Sequence, residues 1–206
     1  LGYWPLCEFA GTAATDLSPL GNHGVLQHAE FVSPIAAGAR RAPVLLQVSQ
    51  ADDEQAVQVG VARSVLDLTG EGGVRVQDFT WPAGSPITVE FWIFVRSDQL
   101  CQGSIFSIGN QASPNRVQAH CPWEDGRLYF DYGNIDSQSG RVSVDFRPYL
   151  DQWVHVALVG GGNQPDSALV VYLNGERKGV GQTGASGAQH DLTGLSIGRE
   201  SAGYGA

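Results

Sequence analysis

Hydrophobic and polar positions alternate along much of this chain, and where they do not, they gather in short apolar runs rich in Val, Ile, Phe and Trp. The clearest runs are 87–95 (ITVEFWIFV), 104–108, 127–132, 153–159, 169–173 and 195–197, with further candidates at 2–9, 25–32, 43–48, 56–61, 65–68 and 74–76. Gly, Pro, Asn or Asp bounds each run, which is the signature of β-strands. No stretch longer than about eight residues has helical periodicity, against a usual helix of ~11 residues. The pattern predicts an all-β chain.

Within it, residues 87–95 are apolar on both faces apart from Glu90. Such a strand belongs in the middle of stacked sheets, so Trp92 and Phe106 are expected to be buried, with Glu90 paired or at an open face. In 153–158, Val154, Val156 and Leu158 share one face while Trp153, His155 and Ala157 share the other. Asn174-Gly175 tolerates positive φ at both central positions of a tight turn, so a hairpin is predicted there. The Ala-rich stretch 33–62, with its Asp52-Asp53-Glu54 cluster, reads as a long excursion with room for extra strands. No internal repeat appears, and residues 1–206 are expected to form one domain.

Composition narrows the function. Charged residues are 16% and hydrophobic residues 42% of the 206, enough for a large core and against general disorder. Twelve basic against 21 acidic residues leave a formal charge of -9. That charge repels phosphate backbones and argues against nucleic acid as a partner. No run of about 18 apolar residues predicts a membrane span. The chain has no Met and begins at Leu1, as expected of a processed protein or a segment of a longer one. The odd number of cysteines, three, matches no zinc spacing. Residues 110–115 (NQASPN) read as a turn joining strands near 104–109 and 116–121. That hairpin would bring Cys101 and Cys121 together as a disulfide, given a bulge. Cys7 has no evident partner.

Several pieces occur in a telling order: Tyr3-Trp4-Pro5-Leu6, Asp16-Leu17-Ser18-Pro19-Leu20-Gly21-Asn22-His23-Gly24, Ile87-Thr88-Val89-Glu90-Phe91-Trp92 and Gly103-Ser104-Ile105-Phe106-Ser107-Ile108-Gly109. Trp153-Val154-His155-Val156-Ala157, Leu169-Val170-Val171-Tyr172-Leu173-Asn174-Gly175 and Leu195-Ser196-Ile197-Gly198 follow. Together they resemble the laminin-G-like jelly roll of the concanavalin A-like lectin/glucanase superfamily. His120-Cys121-Pro122-Trp123-Glu124-Asp125-Gly126 resembles a subgroup in which a His-x-Pro-Trp-x-x-Gly block precedes the mid-sheet strand. The resemblance implies a two-sheet antiparallel sandwich, an extracellular location and a role in adhesion or glycan binding. The fold alone does not set the chemistry. In the family the 195–198 motif precedes a closing strand with an Ile-Asp-Glu-like sequence, which residues 201–205 lack. The expectation is therefore a domain without its final strand. It would be part of a longer chain, or be completed by another chain through β-augmentation.

Two clusters carry candidate chemistry. The 16–24 loop resembles a family loop beside a structural Ca2+, with Asp16 and Asn22 as ligands; calcium takes 6–8 oxygens. Pro19 and Leu20 depart from the small residues usual there, and the competing reading is a polar turn in which Asp16 caps its own backbone. His120, Trp123, Glu124, Asp125, Tyr129 and Asp131 form the second cluster. Aromatic rings stack on sugars and carboxylates bind hydroxyls, so a glycan site is expected. Against it, Arg127, Tyr129 and Asp131 alternate as on any half-solvated strand, and Trp123 reads as a core or sheet-edge anchor ahead of a sugar platform. No Glu-x-Asp-x-x-Glu strand, Gly-x-Ser-x-Gly elbow or phosphate loop is present. The first reading is an extracellular non-enzymatic recognition, adhesion or architectural module that binds glycans or neighbouring protein domains. The alternative is a glycoside-active enzyme with a carboxylate pair in 123–131.

Overall fold

The computed structural model describes residues 2, 4, 6, 8, 10–33, 44–51, 54–61, 64–68, 72–98, 100, 102–109, 116–133, 140–161, 168–183 and 192–198. Its strands run in the order β1 (Ala13–Ala14), β2 (Gly24–Gln27), β3 (Glu30–Val32), β4 (Val44–Ala51), β5 (Glu54–Val61), β6 (Val65–Asp67), β7 (Gly73–Trp81) and β8 (Ile87–Phe94). Then come β9 (Phe106–Ile108), β10 (Arg116–His120), β11 (Arg127–Gly133), β12 (Arg141–Asp145), β13 (Trp153–Gly160), β14 (Ala168–Leu173), β15 (Glu176–Gln182) and β16 (Leu192–Gly198). The only helical turn among the described residues is a 3-10 turn, Arg147–Tyr149.

An eight-stranded sheet in the order β1-β2-β7-β16-β9-β10-β11-β12 packs on a four-stranded sheet in the order β15-β14-β13-β8. Neighbouring strands are antiparallel throughout. This is the expected all-β jelly-roll sandwich. β3 pairs with β6, and β4 with β5; the 33–62 excursion thus contains a hairpin, β4–β5. Inward side chains of both sheets form one core: Val117, Leu128, Phe130, Tyr132 and Val142 meet Val154, Val156, Leu158, Leu169, Val171 and Leu173. Asn174 and Gly175 both have positive φ, 52° and 80°, and close the β14–β15 hairpin as their sequence requires.

The pleat overturns one expectation. Ile87, Val89, Phe91 and Ile93 alternate with Thr88, Glu90, Trp92 and Phe94 along β8. Odd positions pack on the core, so Trp92 points outward with Glu90 and is 41% exposed, not buried. Phe106 is buried as expected. Residues after 198, and the odd-numbered residues of the expected strand at 2–9, lie outside the described residues, as do Cys7 and Cys101. Cys121 is a buried free thiol. Extending the β9–β10 register beyond Ala119↔Phe106 sets position 121 opposite 104, not 101. Burial pushes the Cys121 thiol up, which keeps it unreactive.

The sandwich closes tightly where β15 crosses β12. A Cβ on Gly181 would stand 2.9 Å from the Arg141 carbonyl oxygen, and one on Gly179 2.7 Å from Val144 Cγ2. Backbone oxygen cannot rotate away, so Gly181→Ala should destabilise the protein by about 1–3 kcal/mol, read as a lower urea midpoint with unchanged slope.

Candidate functional site

β10 runs into a cis Cys121–Pro122 bond, and the chain then turns through 123–126 into β11. The Gly126 amide donates to the Trp123 carbonyl (2.8 Å), and Gly126 adopts φ +77°, a geometry that favours glycine. Asp125 Oδ1 accepts from the Arg127 amide (2.9 Å), fixing the end of the turn. β10, β11 and β12 then pair in register, so that Gln118, Asp131 and Arg141 form one row across the outer face. His120, Tyr129 and Ser143 form the next row.

The first row is a buried polar network. Arg141 Nε donates to Asp131 Oδ1 (2.6 Å) and Nη2 to Oδ2 (2.8 Å), a bidentate pair. Gln118 Nε2 donates to Asp131 Oδ2 (3.0 Å) and lies 3.0 Å from His120 Nε2. His120 Nδ1 faces the Gly103 carbonyl at 3.1 Å and Ser104 Oγ at 3.2 Å. Asp131 and Gln118 are fully buried and His120 is 5% exposed. This arrangement serves structure. It locks three strands by charge-assisted bonds, and Asp131 has no free surface to offer.

Above it lies the accessible layer. Glu124 and Asp125 are exposed, whereas Trp123 and Tyr129 are half-buried. The Trp123 ring packs edge-on against His120, with centroids 4.6 Å apart. The Tyr129 hydroxyl donates to Asp125 Oδ2 (2.6 Å), and the Arg141 guanidinium sits 4.8 Å above the Tyr129 ring. Burial acts to raise the Asp125 carboxyl, but the Tyr129 hydroxyl, the Arg127 amide and the Arg127 charge outweigh it and hold it below the usual range. Hydrogen bonding to Asp125 raises Tyr129 in turn. Five of the six expected residues are linked by contacts, in two tiers, His120 and Asp131 beneath and Trp123, Asp125 and Tyr129 above, with Glu124 exposed on the turn beside them. Gln118 and Arg141 belong to the same cluster although motif reasoning passed over them. The Val142/Val144 alternation that makes β12 is the signal that finds Arg141.

The 16–24 loop folds onto itself. Asp16 Oδ1 accepts from the Ser18 amide, and Oδ2 from the Ser18 hydroxyl and the Asn22 amide, each at 2.8 Å. The Asn22 carbonyl accepts from Trp4 Nε1 (2.8 Å). No three His, Cys, Asp or Glu side chains converge as a metal site among the described residues. The Asp16 carboxylate is thus engaged as the capped turn requires.

With fold and site in hand, comparison with known proteins is decisive on ancestry. A laminin G family model, described as concanavalin A-like lectin/glucanases superfamily, matches residues 68–206. The chain belongs to that superfamily. Among curated proteins none matches it in sequence. In structure, this superfamily member is similar to the binding domain of botulinum neurotoxin DC, solved in complex with rat synaptotagmin II (TM-score 0.52, 11% identity). That match covers 96% of this chain and 45% of the toxin chain, so the chain spans under half of that structure. Domain 4 of AbnA, an extracellular arabinanase of Geobacillus stearothermophilus solved with arabinotriose, has a TM-score of 0.40 at 20% identity, covering 82% and 90%. Mouse laminin alpha1 domains LG4-5 have 0.39 at 12%, covering 75% and 48%.

Two measurements check the electrostatics. Replacing Arg141 by Met should cost about 3 kcal/mol, since it strands the buried Asp131 carboxylate; the loss falls at the low end for buried pairs because the Arg141 side chain is 37% exposed. At the rim, the Arg147 side chain and then its amide lower the Asp145 carboxyl to about 2, from an ordinary 3.8. A depressed carboxyl stabilises above its unfolded pKa and ceases to do so as pH falls through its folded one. The melting difference between the parent and Asp145→Asn should therefore hold above about pH 4 and close by about pH 2.

Proposed function

We propose that the chain is an extracellular, non-enzymatic recognition module that binds glycans at the 123–129 surface. The observation that carries this reading is the two-tier site: Trp123, Glu124, Asp125 and Tyr129 stand accessible on a platform that the Asp131–Arg141–Gln118–His120 network holds rigid. Pre-organised aromatic and carboxylate groups bind sugars without an ordering cost at each encounter. The alternative, glycoside hydrolysis, needs one carboxyl kept protonated and a second one placed across the scissile bond. Here Asp131 is buried in an ion pair and Asp125 is held ionised by Tyr129 and Arg127. That chemistry supports binding over cleavage. Membership of a lectin and glucanase superfamily fits recognition of sugars.

A glycan array read together with a reducing-sugar assay tests this. The parent should bind a defined subset of glycans and release no reducing sugar. Tyr129→Ala and Asp125→Ala, with melting temperatures near the parent's, should weaken binding at least about tenfold. Sugar release that Asp125→Asn abolishes would instead establish the enzyme.

A further inference from the structure

The outer face of the four-stranded sheet carries chemistry that the core does not need. In register across β8, β13, β14 and β15 lie two adjacent rows: Trp92 beside His155, and Glu90, Ala157, Tyr172 and Arg177. Trp92 is 41% exposed, and its ring leans on His155 with centroids 5.3 Å apart and planes at 54°. Glu90 Oε2 stands 3.9 Å from His155 Nε2, too far for a direct hydrogen bond and a distance one bridging group spans. Ala157, the smallest side chain of the row, floors the space between Glu90 and Tyr172, which two interstrand spacings set about 10 Å apart. The outer face there is mixed, aromatic at Trp92 and Tyr172 and polar at Glu90, His155 and Arg177.

We propose that this face is a second carbohydrate-binding surface. A sugar ring stacks its C–H face on Trp92 over Ala157, and a hydroxyl bridges Glu90 and His155, donating to the carboxylate. Arg177, opposite Tyr172, meets further hydroxyls or a sugar carboxylate. The charges decide the occupant. Cores of protein–protein interfaces are depleted of charge, whereas here Glu90 and Arg177 sit in the same row as Tyr172, between the Trp92 row and a row of exposed Val159, half-buried Val170 and exposed Val180. Sugars present apolar faces and hydroxyl edges together, and they match that interleaving. The proposal goes beyond the 123–129 reading and does not depend on it, because the two sheets turn these outer faces away from each other.

The test titrates the full chain with cellohexaose, laminarihexaose, chitohexaose and arabinohexaose by calorimetry, with sedimentation run in parallel. Three variants are compared: Trp92→Ala, Glu90→Gln and, on the opposite face, Tyr129→Ala. Two classes of saturable binding are expected: one that Trp92→Ala weakens at least about tenfold and Glu90→Gln several-fold, at parent-like melting temperature, and a second that only Tyr129→Ala weakens. If Trp92→Ala and Glu90→Gln leave all binding intact while Tyr129→Ala removes it, the second surface is overturned and the 123–129 site stands. Binding that only the Trp92 and Glu90 variants disturb keeps the second surface and removes the first. No binding to any of the four sugars overturns the proposal, as does a concentration-dependent dimer that Trp92→Ala dissolves, which would assign the face to a second copy of the chain.

Discussion

A β-strand shows alternate side chains to opposite faces, and the two-residue pleat governs everything else in this molecule. β13 is central to the four-stranded sheet, and its Val154, Val156 and Leu158 are fully buried against the eight-stranded sheet. The same pleat obliges Trp153, His155 and Ala157 to face outward. β11 obeys it from the other side, with Leu128, Phe130 and Tyr132 inward and Arg127, Tyr129 and Asp131 outward. A one-residue slip in either strand would put a carboxylate or an imidazole into the core and an apolar row into water. Register is thus fixed by the core, and the outer faces inherit their chemistry from it.

That inheritance explains why Asp131 and Gln118 persist at zero exposure. Burying the Asp131 carboxylate is costly unless its oxygens are paired and hydrogen-bonded. The bidentate Arg141 and the Gln118 amide meet both conditions, each from a neighbouring strand at the register position opposite Asp131. Such a network stabilises little beyond a well-packed apolar row, but it is intolerant of misalignment, and so it specifies how β10, β11 and β12 pair. Gln118 Oε1 and Ser107 Oγ, opposite one another on β10 and β9, are buried without a protein partner. Two such atoms side by side are where an ordered water serves.

The strands that frame the core were legible because their alternation is long and their turns carry Asn-Gly or Gly. β8, β13 and β14 fall within a residue of their sequence bounds. Trp92 was misread for an instructive reason: the run 87–95 is apolar on both faces, and size outweighed parity. Glu90, two residues away on the same face, already marked that side as open. β12 is short and its apolar content is two valines, so neither it nor Arg141 stood out without the pairing partner. The six site residues were legible as neighbours because the turn holds them close in sequence. Their division into buried and accessible tiers was not, since it depends on what Gln118 and Arg141 bring from other strands.

The distribution of charge across the two outer faces bears on what a sandwich of this kind does. Under the glycan-binding proposal the carboxyls of the site need not gain and lose a proton, as those of a catalyst must. On the eight-stranded face, Asp131 is committed to Arg141, and Asp125 to Tyr129 and the Arg127 amide. Recognition makes the opposite demand, for groups already held in their bound geometry. The four-stranded face adds Trp92, Glu90 and His155 on a sheet just as rigid, with Val154 and Val156 locked beneath it. The two proposed surfaces, on opposite faces of one sandwich, cannot chelate a short oligosaccharide, because the core lies between them. They can bridge two chains, or two stretches of a long one, and there even weak single contacts gain through effective concentration.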